Sequence, residues 1–189
     1  MQKLGKIVVV VAAVLSVAAC GQKAAGTAQP GNAAGPTVPA STSAPAVPQS
    51  KGRECTADDI KTTGKFGEAP TITIPDDCDP PKKLITKDLS AGTGEGAKAG
   101  QKLQMNYSLV TWSDKQKLDS SFDRGQPFDL TLGGGDVIPG WDQGLVGIKQ
   151  GARRLLIIPP DLGYGQGGNG IQPNETLVFV TDAVSIAAA

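Results

Sequence analysis

Few residues in this chain could do chemistry, and the types missing narrow the choice. There is no histidine among the 189 residues, which excludes histidine triads, histidine general bases and histidine metal sites. Aromatic side chains are scarce, two Trp, two Tyr and four Phe, so the places where they gather are informative. Trp141 stands in Gly133–Leu145, GGGDVIPGWDQGL. Three glycines end the strand-like run Phe128–Leu132 and permit a tight turn or a close backbone approach. Asp136 then stands where an N-cap belongs, ahead of Val137, Ile138, Trp141 and Leu145, whose spacing puts them near one face of a short helix over 136–146. Pro139 falls in the first turn, where its missing N–H costs nothing. A glycine loop that leads a Trp onto a sheet can build the floor of an apolar pocket; the same Trp can equally fill a core. Tyr164 lies between Gly163 and Gly165, and a large aromatic on a glycine-rich loop usually has something to cover. Asp119 with Arg124 reads either as a surface ion pair contributing ~0–1 kcal/mol or as an acid oriented by a guanidinium. Gly163-x-Gly165-x-x-Gly168 matches a dinucleotide fingerprint in its letters, but Pro173 and the surrounding turn residues leave no helix to hold a pyrophosphate. No nucleotide is expected.

The elements that would position these groups read as mostly strand. Leu84–Leu89 is a strand and Gly92–Gly96 a turn. Lys102–Trp112 alternates Leu103, Met105, Tyr107 and Leu109 with polar neighbours, as a half-buried strand does. Asp114–Gln116 makes a hairpin turn. Phe128–Leu132, Ala152–Ile158 and Leu177–Ile186 are further strands, with the helix between the first two. Short connections imply an antiparallel sheet packed on one helix, an α+β architecture. The sequons at Asn106 and Asn174 lie in or beside strands and are discounted as glycosylation sites.

Around this domain the chain carries appendages. Lys3 and Lys6 precede an apolar run, Ile7–Ala19, of 13 residues, too short to span a bilayer comfortably. It ends in Val17-Ala18-Ala19-Cys20, which resembles the lipobox of bacterial lipoproteins. Residues 1–19 are thus expected to be a leader and Cys20 a lipidated anchor, each buried CH₂ adding ~0.8 kcal/mol of membrane affinity. Residues 20–52, rich in Ala, Pro, Gly, Ser and Thr, read as a disordered tether. Residues 53–82 read as an N-terminal extension, with a short helical turn at Thr56–Ile60 and an edge strand at Ala69–Pro75. Outside the cytoplasm Cys55 and Cys78 are expected to form a disulfide; two free thiols in a redox or metal pair would lack the close CxxC spacing. Lys+Arg and Asp+Glu are both 18 and no basic stripe appears, so no nucleic-acid partner is expected.

Six separated stretches point to one family. They are Leu118–Arg124 (LDSSFDR), Pro127-Phe128, Val137–Trp141 (VIPGW), Gly151–Arg153, Pro160–Gly165 (PDLGYG) and Thr176–Phe179 (TLVF). In order and spacing they resemble the FKBP-type peptidyl-prolyl cis-trans isomerases over about residues 83–186. The resemblance implies a twisted antiparallel sheet wrapped over one short helix, forming an isomerase domain at 83–189. It implies a shallow apolar cup with Trp141 as floor and Tyr107, Phe128, Val137, Ile138 and Phe179 as walls. Asp136 and Leu118 would also contact substrate, and Ile171 would reach in from a flap. Asp119, oriented by Arg124, would be the acidic pocket residue, and Tyr164 would offer its hydroxyl to a substrate carbonyl. Asp119, Tyr164 and Trp141 are the expected catalytic residues. No metal or cofactor is implied, because rotation about an amide makes and breaks no bond. The implied partners are proline-containing segments of exported proteins and macrolide inhibitors, met by a lipid-anchored monomer outside the cytoplasmic membrane. Leu118 replaces a usual aromatic, and the flap Gly165–Pro173 is short. A non-catalytic proline-loop-binding module on the same fold is the alternative, and a purely structural surface domain a third.

Overall fold

The computed structural model describes residues 50–188; the expected leader, Cys20 and most of the tether lie outside them. In chain order the elements are β1 (Lys61–Thr62), β2 (Ile72–Thr73), β3 (Ile85–Ser90), β4 (Thr93–Gly96), β5 (Lys102–Thr111), β6 (Lys117–Ser120), α1 (Ser121–Arg124), β7 (Phe128–Thr131), α2 (Pro139–Gly144), β8 (Lys149–Gln150), β9 (Arg153–Ile158) and β10 (Leu177–Ile186). The main sheet is antiparallel with order β3-β9-β10-β5-β6, and β7 runs beside the first half of β5. β1 pairs with β2 and β4 with β8 in two small ribbons. No helix among the described residues is long and apolar enough to cross a membrane. The architecture is the expected α+β one.

Strand alternation divides the core in two. Leu103, Met105, Tyr107 and Leu109 of β5, Leu156 and Ile158 of β9, and Leu177, Phe179 and Ala183 of β10 gather with Trp141 and Leu145 on one face. The intervening residues Val110, Leu155, Ile157, Val178 and Val180 point to the other face, where Ile60, Ile72 and Ile74 of the extension cover them. Residues 53–82 are therefore the lid of a second core, and β9 is buried along its whole length because both its faces are covered.

Polar bonds fix this lid. Arg153 and Asp182, register partners on β9 and β10, form a buried ion pair with side chains 3% and 1% exposed. The Arg153 guanidinium also donates to the carbonyls of Gly64 (2.8 Å) and Glu68 (2.6 Å), and the Gly67 N–H donates to Asp182 at 2.7 Å. Cys55 and Cys78 are disulfide-bonded with Cα atoms 5.1 Å apart. Closing a loop of that size contributes about 3 kcal/mol in the chain-entropy picture.

Two local expectations need correction. The Gly92–Gly96 stretch is not simply a turn: most of it is β4. Its glycines serve close packing, since a Cβ on Gly92 would lie 2.4 Å from the Gln150 carbonyl and one on Gly96 2.7 Å from that of Gly147. The helix is shorter than 136–146, running only from Pro139 to Gly144, and its N-cap is Ile138, not Asp136. Thr56–Ile60 makes the single bonded turn expected of it (Asp59 N–H to Thr56 carbonyl, 3.3 Å). A second helical turn, α1, was not anticipated. Ser120 caps it by accepting from Phe122 N–H, and Gly125, at φ 65°, ends it. At the far end of α2, Arg154 donates to the carbonyls of Gly144 (2.9 Å) and Val146 (3.0 Å), a cation where the helix dipole favours one.

Candidate active site

On the α2 face the sheet curls around a cup of about 190 Å³. Trp141 of α2 is its floor, 4% exposed, held there by rings that meet it edge-on. Tyr107 and Phe179 stand 5.4 Å away at 85° and 79°, and Phe128 stands 6.1 Å away at 89°. Edge-to-face pairs of this kind contribute about 0.5–1.5 kcal/mol each beyond area burial. The β7–α2 segment brings Asp136, Val137 and Ile138 to the lining, and Tyr164 enters from the loop after the 3-10 turn Pro160–Leu162. Leu109, two residues beyond Tyr107 on β5, also lines the cup. It was missed as a site residue, although the period-2 pattern placed it on the same face. The indole N–H of Trp141 is buried without a hydrogen-bond partner among the described residues, an unspent donor beneath an apolar cavity.

Polar groups converge on one wall. The Tyr107 hydroxyl donates to Asp119, and the Arg124 guanidinium donates both to Asp119 and, at 2.8 Å, to the Tyr107 oxygen. The Ser120 N–H completes the set at 2.7 Å from Asp119. α1 is what brings Arg124 back over Tyr107, with its guanidinium carbon 5.4 Å from the ring centroid. Beneath them Ser121, wholly buried, accepts from the Tyr107 N–H at 2.9 Å and donates to Asn106 at 3.0 Å. No sequence pattern singles out this serine as a support for Tyr107.

Burial alone would push the Asp119 carboxyl up, but the bonds from Tyr107, Arg124 and Ser120 outweigh it and hold its pKa below the usual carboxylate value. The Tyr107 hydroxyl is raised, first by burial and then by the carboxylate it serves. Because the folded pKa of Asp119 is depressed, the stability it contributes is present above the ordinary carboxylate range and is lost as pH falls through the folded value. Arg124→Gln removes one of the opposing bonds and its charge, so the midpoint should move upward. A ¹³C titration of Asp119 carried through and below the ordinary carboxylate range measures this, and an unmoved midpoint would show that Arg124 does not hold the acid ionised.

Of the expected site residues, Tyr107, Asp119, Phe128, Asp136, Val137, Ile138, Trp141, Tyr164 and Phe179 line the cup, and Arg124 binds its acid from outside. Leu118 and Ile171 do not line it. Leu118 is 40% exposed and lies beside the flap tip, where a Cβ on Gly170 would be 3.8 Å from it. Ile171 is buried in the core with Trp141. At the flap tip Gly168 and Ile171 bond to each other across Asn169 (φ 53°) and Gly170 (φ 80°). That is the backbone of a two-residue hairpin turn. Cys55, Asp59 and Cys78 lie within 4.8 Å of one another, but the disulfide occupies both sulfurs and leaves only one carboxylate to offer.

Residues 94–183 match the family described as FKBP-type peptidyl-prolyl cis-trans isomerase. The chain is 45% identical over 122 residues to the FK506-binding protein of Streptomyces anulatus, covering 63% of this chain and 98% of that protein. Its fold is similar to the crystal structure of AtFKBP13, with TM-score 0.52 and 32% identity over 57% of this chain and 96% of that one. FkpA from Escherichia coli superposes with the same TM-score, 40% identity, and coverage of 56% of this chain and 49% of that one. This chain belongs to the FKBP-type peptidyl-prolyl cis-trans isomerases.

Proposed function

We propose that this protein is a lipid-anchored isomerase that turns X–Pro bonds of exported proteins as they fold outside the cytoplasmic membrane. The observation that carries the chemistry is the cup: an aromatic box on Trp141 with one hydrogen-bonded acid wall, Tyr107–Asp119–Arg124, and Tyr164 at its lining. Rotation about the X–Pro bond meets a barrier of ~20 kcal/mol because amide resonance must be broken. In the twisted transition state the carbonyl has lost conjugation and the charge separation of the planar amide is reduced. An apolar cup favours that state over either planar one. Trp141, Phe128 and Phe179 hold the flat proline ring, the Tyr164 hydroxyl donates to the substrate carbonyl, and Asp119, kept ionised, sets the field along one wall. Asp119, Tyr164 and Trp141 are thus the catalytic groups.

The placement rests on sequence pattern and redox chemistry. Lys3, Lys6, the apolar run and Cys20 fit a lipoprotein leader, and a disulfide in the extension fits an oxidising compartment. The protein acts as a monomer at the end of a 20–52 tether. Its similarity to a protein named for FK506 binding supports macrolides as inhibitors of the cup. Leu118, outside the cup and 40% exposed, favours a second reading in which the cup binds proline loops without turning them.

NMR exchange on a short X–Pro–Phe peptide separates the two. The full chain should accelerate isomerisation, and Tyr164→Phe or Asp119→Ala should lower turnover by about tenfold to a hundredfold with far smaller losses of stability. Binding without acceleration would select the second reading; turnover falling only in step with stability would remove both residues from catalysis. In cells that make the protein, Cys20→Ser should move it out of the membrane fraction, and its retention there would sink the anchor.

A further inference from the structure

The glycine run and α2 are joined by a carboxylate contact. α2 has six residues, fewer than an isolated helix needs in water, and Ile138 at its N-cap has no oxygen to cap with. Asp142, one residue after the floor Trp141, faces back into the preceding loop. Its Oδ1 accepts from the Gly133 N–H at 2.8 Å and its Oδ2 from the Gly135 N–H at 3.1 Å. The left-handed φ of these glycines, 73° and 76°, lets the chain wrap so tightly without strain. The other end of the loop is tied to the same place, since the N–H groups of Trp141 and Asp142 both reach the Ile138 carbonyl, at 2.9 and 3.3 Å. Residues 133–138, which carry Asp136, Val137 and Ile138 to the cup, are thereby tied at both ends to the floor.

We propose that Asp142 is a positioning residue of the isomerase: its carboxylate clamps the glycine loop to α2 and sets the height of the Val137–Ile138 wall above Trp141. This rests on the cup being the site that receives proline. Gly133 and Gly135 are exposed, so water satisfies their amides once the clamp is gone. Little folding stability is lost, whereas the wall is freed. The effect falls on the grip of the cup.

The test uses the full chain and an X–Pro–Phe peptide. Asp142→Asn leaves one good acceptor and turns an N–H₂ toward the other amide. Its KM should rise by about tenfold, the weight of one charge-assisted hydrogen bond, with kcat changed less and the thermal midpoint nearly kept. Hydrogen exchange should quicken at Gly133 and Gly135 but not at Gly134, whose N–H is bonded to the Thr131 carbonyl. Asp142→Glu, which keeps the carboxylate, should restore most of the KM. Coupling is reciprocal, so in the unaltered protein a saturating proline peptide should slow exchange at Gly133 and Gly135. An unchanged KM in Asp142→Asn overturns the proposal, and so does indifference of both amides to bound peptide. The exchange measurement needs binding and not turnover, so a chain that binds without isomerising fails the enzymatic assignment while the clamp is still judged.

Discussion

Asp182→Ala is expected to destabilise the fold by about 3–5 kcal/mol, measurable as a large drop in the urea midpoint. The substitution strands Arg153, 3% exposed, as an uncompensated charge buried beneath the extension. It also deprives the Gly67 N–H of its acceptor. Replacing both partners with apolar residues often rescues a buried ion pair, but here Arg153→Met with Asp182→Leu should not recover full stability. The carbonyls of Gly64 and Glu68 would still lose the guanidinium that reaches them from the sheet. Full recovery would mean that the pair does not hold the extension in place.

Gly140→Ala should be destabilising by about 1–3 kcal/mol, although an alanine in a helix is intrinsically about 1 kcal/mol better than a glycine. The opposite signs make the test decisive. A Cβ on Gly140 would meet Ile158 at 2.4, 2.8 and 3.0 Å, all atoms of a branched chain with little room to turn. α2 must lift, and Trp141, the next residue, lifts with it, so turnover should fall by more than the stability loss explains. Gly144→Ala serves as the control, since its nearest neighbour is the tip of Leu156 at 2.9 Å, which can rotate away. A stabilised, fully active Gly140→Ala protein would show that the helix is not seated by that contact.

What was legible in the chain follows from where local pattern and tertiary environment agree. Leu103, Met105, Tyr107 and Leu109 alternate cleanly because one face of β5 there meets the cup core, and Leu177–Ile186 matched its strand to the residue. Arg153–Ile158 shows no alternation because both faces are covered, and the covering residues, Ile60, Ile72 and Ile74, lie far away in sequence. The dinucleotide-like glycines of 163–168 and the turn-like GTGEG are the same residue type used for different ends, a loop in one case and close strand packing in the other. Asp136 had the right type at the right spacing for a cap, yet the cap position passed to Ile138. Asp142 bonds the loop from within the helix, a contact that only the folded turn creates. Ile171 and Leu118 do not line the cup: Ile171 packs into the core beside Trp141 and Leu118 stays 40% exposed, placements set by tertiary packing that residue type does not carry.

The extension changes what a boundary means in this protein. The stretch matched to the family, 94–183, omits β3 and every isoleucine that covers Val110, Leu155, Ile157, Val178 and Val180. The family's boundary and the folded unit thus divide the chain at different points. A fragment trimmed to 94–183 would keep the residues that line the cup and uncover the apolar reverse of the sheet, an exposed patch that invites association.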